Sequence, residues 1–186
     1  MIRWSSLVKW TIAAMVLGTV LWVAIAAWRL TLAVAAAIAL WTAVIHIRTV
    51  RRQQRAVDGF RKAWRPRGKD ILIVYSNSPH WQGYVESQWL PRWGDRAVVL
   101  NWSERQSWRG SVRPEVVLFE TFRDSREFNP LAIVVPDVGR TVHVVRFWRA
   151  FRDFKHGKEP RLRAAEAMLR DHLPPTPYGH GGNSPV

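Results

Sequence analysis

The sequence predicts an N-terminal transmembrane helical hairpin followed by a small α/β domain with a mixed sheet. Three observations predict it. Two long uncharged runs lie at the start of the chain, all 14 acidic residues fall after Ile47, and the later apolar segments are short and separated by turn signals. With 186 residues and about fifty committed to the apolar start, the remainder suffices for one domain with its own core.

The first run, Trp10 to Trp28, contains no charge, and the second, Leu30 to Ile47, has His46 as its single ionisable residue. About 20 such residues cross a bilayer core of about 30 Å, so each run is long enough for one span. Trp10 and Trp28 bracket the first run where interfacial rings are expected. A signal peptide is disfavoured, because a second apolar run follows at once and no small-x-small cleavage site precedes polar sequence.

Residues 1–47 are therefore expected to form a hairpin turning at Arg29, with one long or re-entrant helix as the lesser alternative, because the turn lacks Gly, Pro or Asn. Arg3 and Lys9 precede the spans and Arg48, Arg51, Arg52 and Arg55 follow them. This bias predicts a multi-pass inner-membrane protein with both termini and the soluble domain on the cytoplasmic side.

Residues 48–69 read as a basic juxtamembrane helix and linker, with nine bases against Asp58. The rest of the chain carries only a small positive excess, so most of the charge sits beside the membrane segment. That placement favours anionic lipid headgroups as its partner and disfavours nucleic acid. Phe60 and Trp64, four residues apart, are expected to dip into the headgroup layer before Arg65-Pro66 ends the helix.

Residues 70–173 form the expected α/β domain. Ile71 to Tyr75 is a near-continuous apolar run, the mark of a buried strand. Ser78 is a candidate helix cap, with Pro79 in the first turn and Trp81, Tyr84, Val85 and Trp89 at helical spacing up to Pro91. Further strands are expected at 97–100, 116–119, 131–135 and 142–147, the last two as an antiparallel hairpin. Helical spacing returns between Phe147 and Phe154 and from Pro160 to Leu173, and the Pro/Gly-rich tail 174–186 reads as disordered.

The stretches YSNSPHW, ESQWLPRW, LNWSERQSW, REFNPLAIV and VVRFWRAFRDFKHGK resemble those of small, uncharacterised bacterial membrane-anchored proteins, over roughly Ile71 to Lys158. The resemblance implies a bacterial origin and carries no activity, substrate or catalytic residue.

Three places are candidates for chemistry. The first is the loop after the opening strand, with Ser76, Asn77 and Ser78 as ligand-binding candidates and His80 as a proton donor or acceptor. The second follows the next strand, where Glu104 and Arg105 supply an acid and an anion clamp if the two strands run parallel. The competing readings are helix capping by Ser78 and Ser103, and Trp102 closing the core edge. The third is the basic run Arg146, Arg149, Arg152, Lys155, His156 and Lys158, interleaved with Phe147, Trp148, Phe151 and Phe154. It reads first as a solvated basic face, next as a lipid- or anion-binding one through Arg149, Arg152 and Lys155, and last as a track for single-stranded nucleic acid.

No cysteine is present, no Gly-rich phosphate loop or Gly-x-Ser-x-Gly elbow appears, and the histidines show no ligand spacing. No metal and no cofactor is expected. Two functions fit this pattern. One is a membrane-tethered, non-catalytic interaction module that binds a protein partner or anionic lipid. The alternative is a small membrane-associated hydrolase or transferase acting on a phosphorylated or lipid-linked substrate, with His80 as base and Arg105 as clamp.

Overall fold

Every residue of strand β1 (Ile71–Tyr75) is buried because both faces of the sheet are covered. In this computed structural model the described residues are 4–127, 129–136 and 141–173. The expected tail 174–186 and most of the turn after Pro136 lie outside them. The chain divides into two units, Met1–Val50 and Arg51–Val186.

The first unit is helical throughout its described length, as part of α1 (Trp4–Trp64). This corrects the hairpin. Residues Ala27 to Leu32 include no helix breaker, and Thr31 Oγ1 donates to the Ala27 carbonyl at 2.9 Å inside the continuous helix. Thr19, Thr42 and Thr49 bond back to carbonyls three or four residues earlier in the same way, so these hydroxyls need no outside partner. Among the described residues there is one helix long and apolar enough to cross a membrane. The expected multi-pass topology, with both termini on one side, is overturned by that single helix. Within the first unit, Trp10, Trp22, Leu30 and Trp41 are exposed.

The second unit is a three-layer α/β domain around a four-stranded mixed sheet in the order β2-β1-β3-β4. Strand β2 (Ala97–Asn101) runs parallel to β1, pairing Ile71 with Ala97 and Tyr75 with Asn101. Strand β3 (Leu131–Val134) is antiparallel to β1, and β4 (His143–Arg146) is antiparallel to β3.

Alternation along β1 assigns the two faces. Ile71, Ile73 and Tyr75 face a core with Val85, Trp89, Trp93, Phe147, Phe151, Leu162 and Leu169. Leu72 and Val74 face a core with Ala56, Val57, Phe60, Trp108, Val116, Leu118 and Phe119. The first face is covered by helical segments α2 (Gln82–Tyr84) and α3 (Leu90–Trp93), and by α6 (Trp148–Phe154) and α7 (Pro160–His172). The second is covered by the end of α1, α4 (Arg105–Trp108) and α5 (Pro114–Phe122).

Four local expectations are corrected. Residues 116–119 belong to helix α5 rather than a strand. A four-residue apolar run is compatible with either, and Pro114 in the first turn, with Val116, Leu118 and Phe119 all buried, favours the helix. Pro91 does not end the preceding helix. A π-helical turn at Val85–Trp89, in which the Leu90 N–H donates to the Val85 carbonyl, re-registers the backbone before the proline.

Ser78 is not a side-chain cap of that helix, whose N-cap is Trp81. The Ser78 carbonyl instead accepts from the Trp81 and Gln82 N–H groups. Lastly, Phe60 does not reach for lipid. It is fully buried in the second core, and half-buried Trp64 donates its Nε1 proton to Glu115 at 3.0 Å.

Candidate functional site

Because β1 and β2 are parallel, the loops that follow them lie side by side, as the second candidate required. Asn101 joins them. Its Nδ2 donates to Asn77 Oδ1 at 2.7 Å and to Glu104 Oε1 at 3.3 Å, while its Oδ1 accepts the Ser103 N–H at 3.0 Å. The Asn77 N–H in turn donates to Ser103 Oγ at 3.0 Å. Ser76 Oγ accepts from Trp81 Nε1 at 3.2 Å, and Ser78 Oγ accepts the His80 N–H at 3.4 Å. The polar groups of this corner therefore satisfy one another, the task set by turn and cap chemistry. The cap is Asn101 rather than Ser103. Only the sequence position of Asn101, at the end of a strand and two residues before Ser103, hints at that role.

The base and the clamp rest on different tryptophans. Arg105 donates to the Trp102 carbonyl at 3.4 Å and its guanidinium lies 5.3 Å from the Trp102 ring centroid, against the second core. His80 lies beside Trp81, which packs against the first core on the opposite face of the sheet.

His80 instead meets the third candidate. A cleft of about 230 Å³ opens between the β1–α2 loop and α6. His80 and Trp81 line it from the loop, and Trp148, Phe151, Arg152, Lys155 and His156 from α6 and the turn after it. α6 forms because Phe147, Ala150 and Phe151 bury one stripe, which leaves Trp148, Arg152 and Lys155 toward solvent.

The Arg152 guanidinium sits 5.3 Å from the Trp148 ring centroid. Arg149, grouped with Arg152 and Lys155 in the sequence, is not among the cleft residues and pairs with Glu127. Only the fold brings Trp81 and Trp148 together at a mouth.

The same face holds a buried carboxylate. Glu166 on α7 accepts from Tyr84 Oη at 2.9 Å and Trp89 Nε1 at 2.8 Å. Burial first, and then the hydrogen bond to Glu166, push the Tyr84 hydroxyl up to about 12, so it stays protonated and donating. At the sheet edge the rings of His143 and His172 stack with centroids 3.9 Å apart. Burial, and then repulsion by His172, hold His143 below its ordinary value. Among the described residues no group of three or more His, Asp or Glu gathers where it could hold a metal ion.

Arg51, Arg52 and Arg55 lie on α1 at the start of the second unit, Arg51, Arg52 and Arg55 all exposed, and none of the three has an ion-pair partner among the described residues.

Together these features define a small mixed α/β domain, preceded by a long apolar helix and carrying a cation- and tryptophan-lined cleft. No protein-family model, no curated protein and no solved structure matches the chain.

Proposed function

We propose that this chain is a membrane-tethered, non-catalytic interaction module whose basic juxtamembrane run binds anionic lipid headgroups. The observation that carries the reading is the partition of charge. An apolar helix with exposed side chains leads directly into Arg51, Arg52 and Arg55, which are exposed and unpaired among the described residues. Such a helix is stable where hydrocarbon replaces water around it, and either half of the apolar stretch is long enough for one crossing. Bases next to a span meet anionic headgroups, each contributing about 1 kcal/mol near the surface.

Among the described residues no hydrogen bond or ion pair joins His80 to Glu104 or Arg105, so nothing yet favours the enzyme built on them. A protein partner remains compatible with the tether, and the exposed Arg51, Arg52 and Arg55 would favour an acidic one.

The test uses the full chain extracted into neutral detergent from mixed phosphatidylcholine and phosphatidylglycerol membranes, with retained lipid quantified by mass spectrometry. The wild type is expected to retain phosphatidylglycerol preferentially. Replacing Arg51, Arg52 and Arg55 together by Gln is expected to cut that preference by roughly tenfold or more, from the summed loss of three surface attractions. An unchanged preference contradicts the reading.

A further inference from the structure

We propose that the cleft between the β1–α2 loop and α6 is a binding site for a phosphate monoester carrying a flat apolar group. Arg152 and Lys155 take the phosphate, and Trp148 and Trp81 hold the flat group. This goes beyond the lipid tether and rests on different residues.

The lining chemistry selects the ligand. The charged or titratable side chains at the cleft are Arg152, Lys155, His80 and His156, and among the described residues no carboxylate lines it. The nearest acid in sequence, Asp153, is taken up by Arg161, whose guanidinium lies 2.5 Å from Oδ2, while Arg152 Nε stands 3.7 Å from the other oxygen. Lys155 makes no ion pair among the described residues. Two cations at the cleft, with Asp153 shared between Arg152 and Arg161, leave a net positive charge that suits a dianion. Arg152 rests against the Trp148 ring, which limits the freedom of its planar fork and so lowers the entropy lost on gripping oxygen atoms.

Size and shape restrict the rest of the molecule. The cleft, at about 230 Å³, falls below the roughly 300 Å³ at which pockets begin to enclose drug-sized ligands. A phosphate and one ring fit this space and a dinucleotide does not. Phe151 is fully buried beneath the cleft, its ring centroid 6.3 Å from that of Trp81, so the floor is apolar and fixed. A single flat group on this floor places its phosphate among the cations at the rim. A phosphate monoester occurs both on soluble metabolites and on the headgroup of phosphatidic acid, and the experiment separates the two sources.

The full chain in neutral detergent is titrated calorimetrically with phenyl phosphate, inorganic phosphate and dioctanoyl phosphatidic acid. Phenyl phosphate is expected to bind. Arg152→Gln and Lys155→Gln are each expected to weaken it roughly tenfold or more. Trp148→Ala is expected to weaken phenyl phosphate more than inorganic phosphate. Displacement of phenyl phosphate by dioctanoyl phosphatidic acid assigns the site to a lipid headgroup, and failure to displace it assigns the site to a soluble ester. Either result upholds the site.

No binding of any of the three at millimolar concentration overturns the proposal, as does unchanged affinity in Lys155→Gln, an exposed substitution whose thermal transition should match the wild type. Phosphatidylglycerol retention is expected to be unchanged in these variants, so failure of the cleft and failure of the tether are read separately.

Discussion

Replacing Phe60 by Ala is expected to destabilise the second unit by about 4 kcal/mol, the usual cost of deleting a buried phenyl ring and leaving a cavity. Phe60 has no exposed surface and packs among Ala56, Val57, Leu72, Val74 and Phe119. Its loss removes the anchor by which the end of α1 covers one face of the sheet. Urea unfolding of the full chain in detergent, followed by tryptophan fluorescence, measures the change as a lowered midpoint at constant slope. A headgroup-seated Phe60 would behave in the opposite way. Its removal would weaken lipid association and leave the unfolding midpoint of the domain unchanged.

Asp70→Asn is expected to cost about 3 kcal/mol, because it removes the charge of the buried member of the ion pair and weakens its charge-assisted hydrogen bonds. Asp70 is 3% exposed and immediately precedes β1. Its carboxylate accepts from Arg96 through both oxygens, one of these bonds at 3.1 Å, and Arg65 lies 3.9 Å away. Its backbone also works on both sides, with the N–H donating to the Arg96 carbonyl and the carbonyl accepting from Val135. The residue ties the segment after α1, the entry of β2 and the exit of β3 to one point. The same urea titration measures the loss. A midpoint within error of the wild type would show that Asn keeps those connections through its amide, and the ion pair would then contribute nothing net.

The elements that were legible in the sequence are those whose pattern has one physical solution. ILIVY, rich in β-branched residues and closed by the polar loop SNSP, reads as a strand covered on both faces, and Pro160 to His172 carries its apolar residues at helical spacing. The segment 131–147 reads as two strands around a turn, and β3 and β4 pair antiparallel. Where the pattern admitted two solutions, tertiary structure chose. VVLF is apolar enough for a strand or a buried helix, and its covering position under Leu72 and Val74 made it helix. The two apolar runs were each of spanning length, but a hairpin also needs a residue that can turn at Arg29, and Ala, Trp, Leu and Thr favour continuing the helix.

Phe60 shows the limit most clearly. Its surroundings in sequence are Asp58, Gly59, Arg61 and Lys62, which read as a surface, yet its partners come from β1 and α5. The cleft was half legible. Arg152 and Lys155 stood out as a basic run and His80 as a loop residue, but their convergence depends on α6 packing beside the β1–α2 loop, a relation without any local signature. The network around Asn101 escaped for the same reason, since it depends on the parallel register of Tyr75 with Asn101.

One continuous apolar helix, not a folded pair, forms the N-terminal unit. The chain contains no cysteine, so spin labels can be placed at two chosen sites without background substitutions. Labels at Ala14→Cys and Ala43→Cys, on either side of Arg29, would be compared by pulsed electron–electron resonance in the full chain reconstituted into lipid. At about 1.5 Å per residue, a continuous helix places the two backbone positions about 44 Å apart. A distance distribution centred near that value is the predicted result. A centre near the separation of packed helices, about 10 Å between axes, would contradict the account.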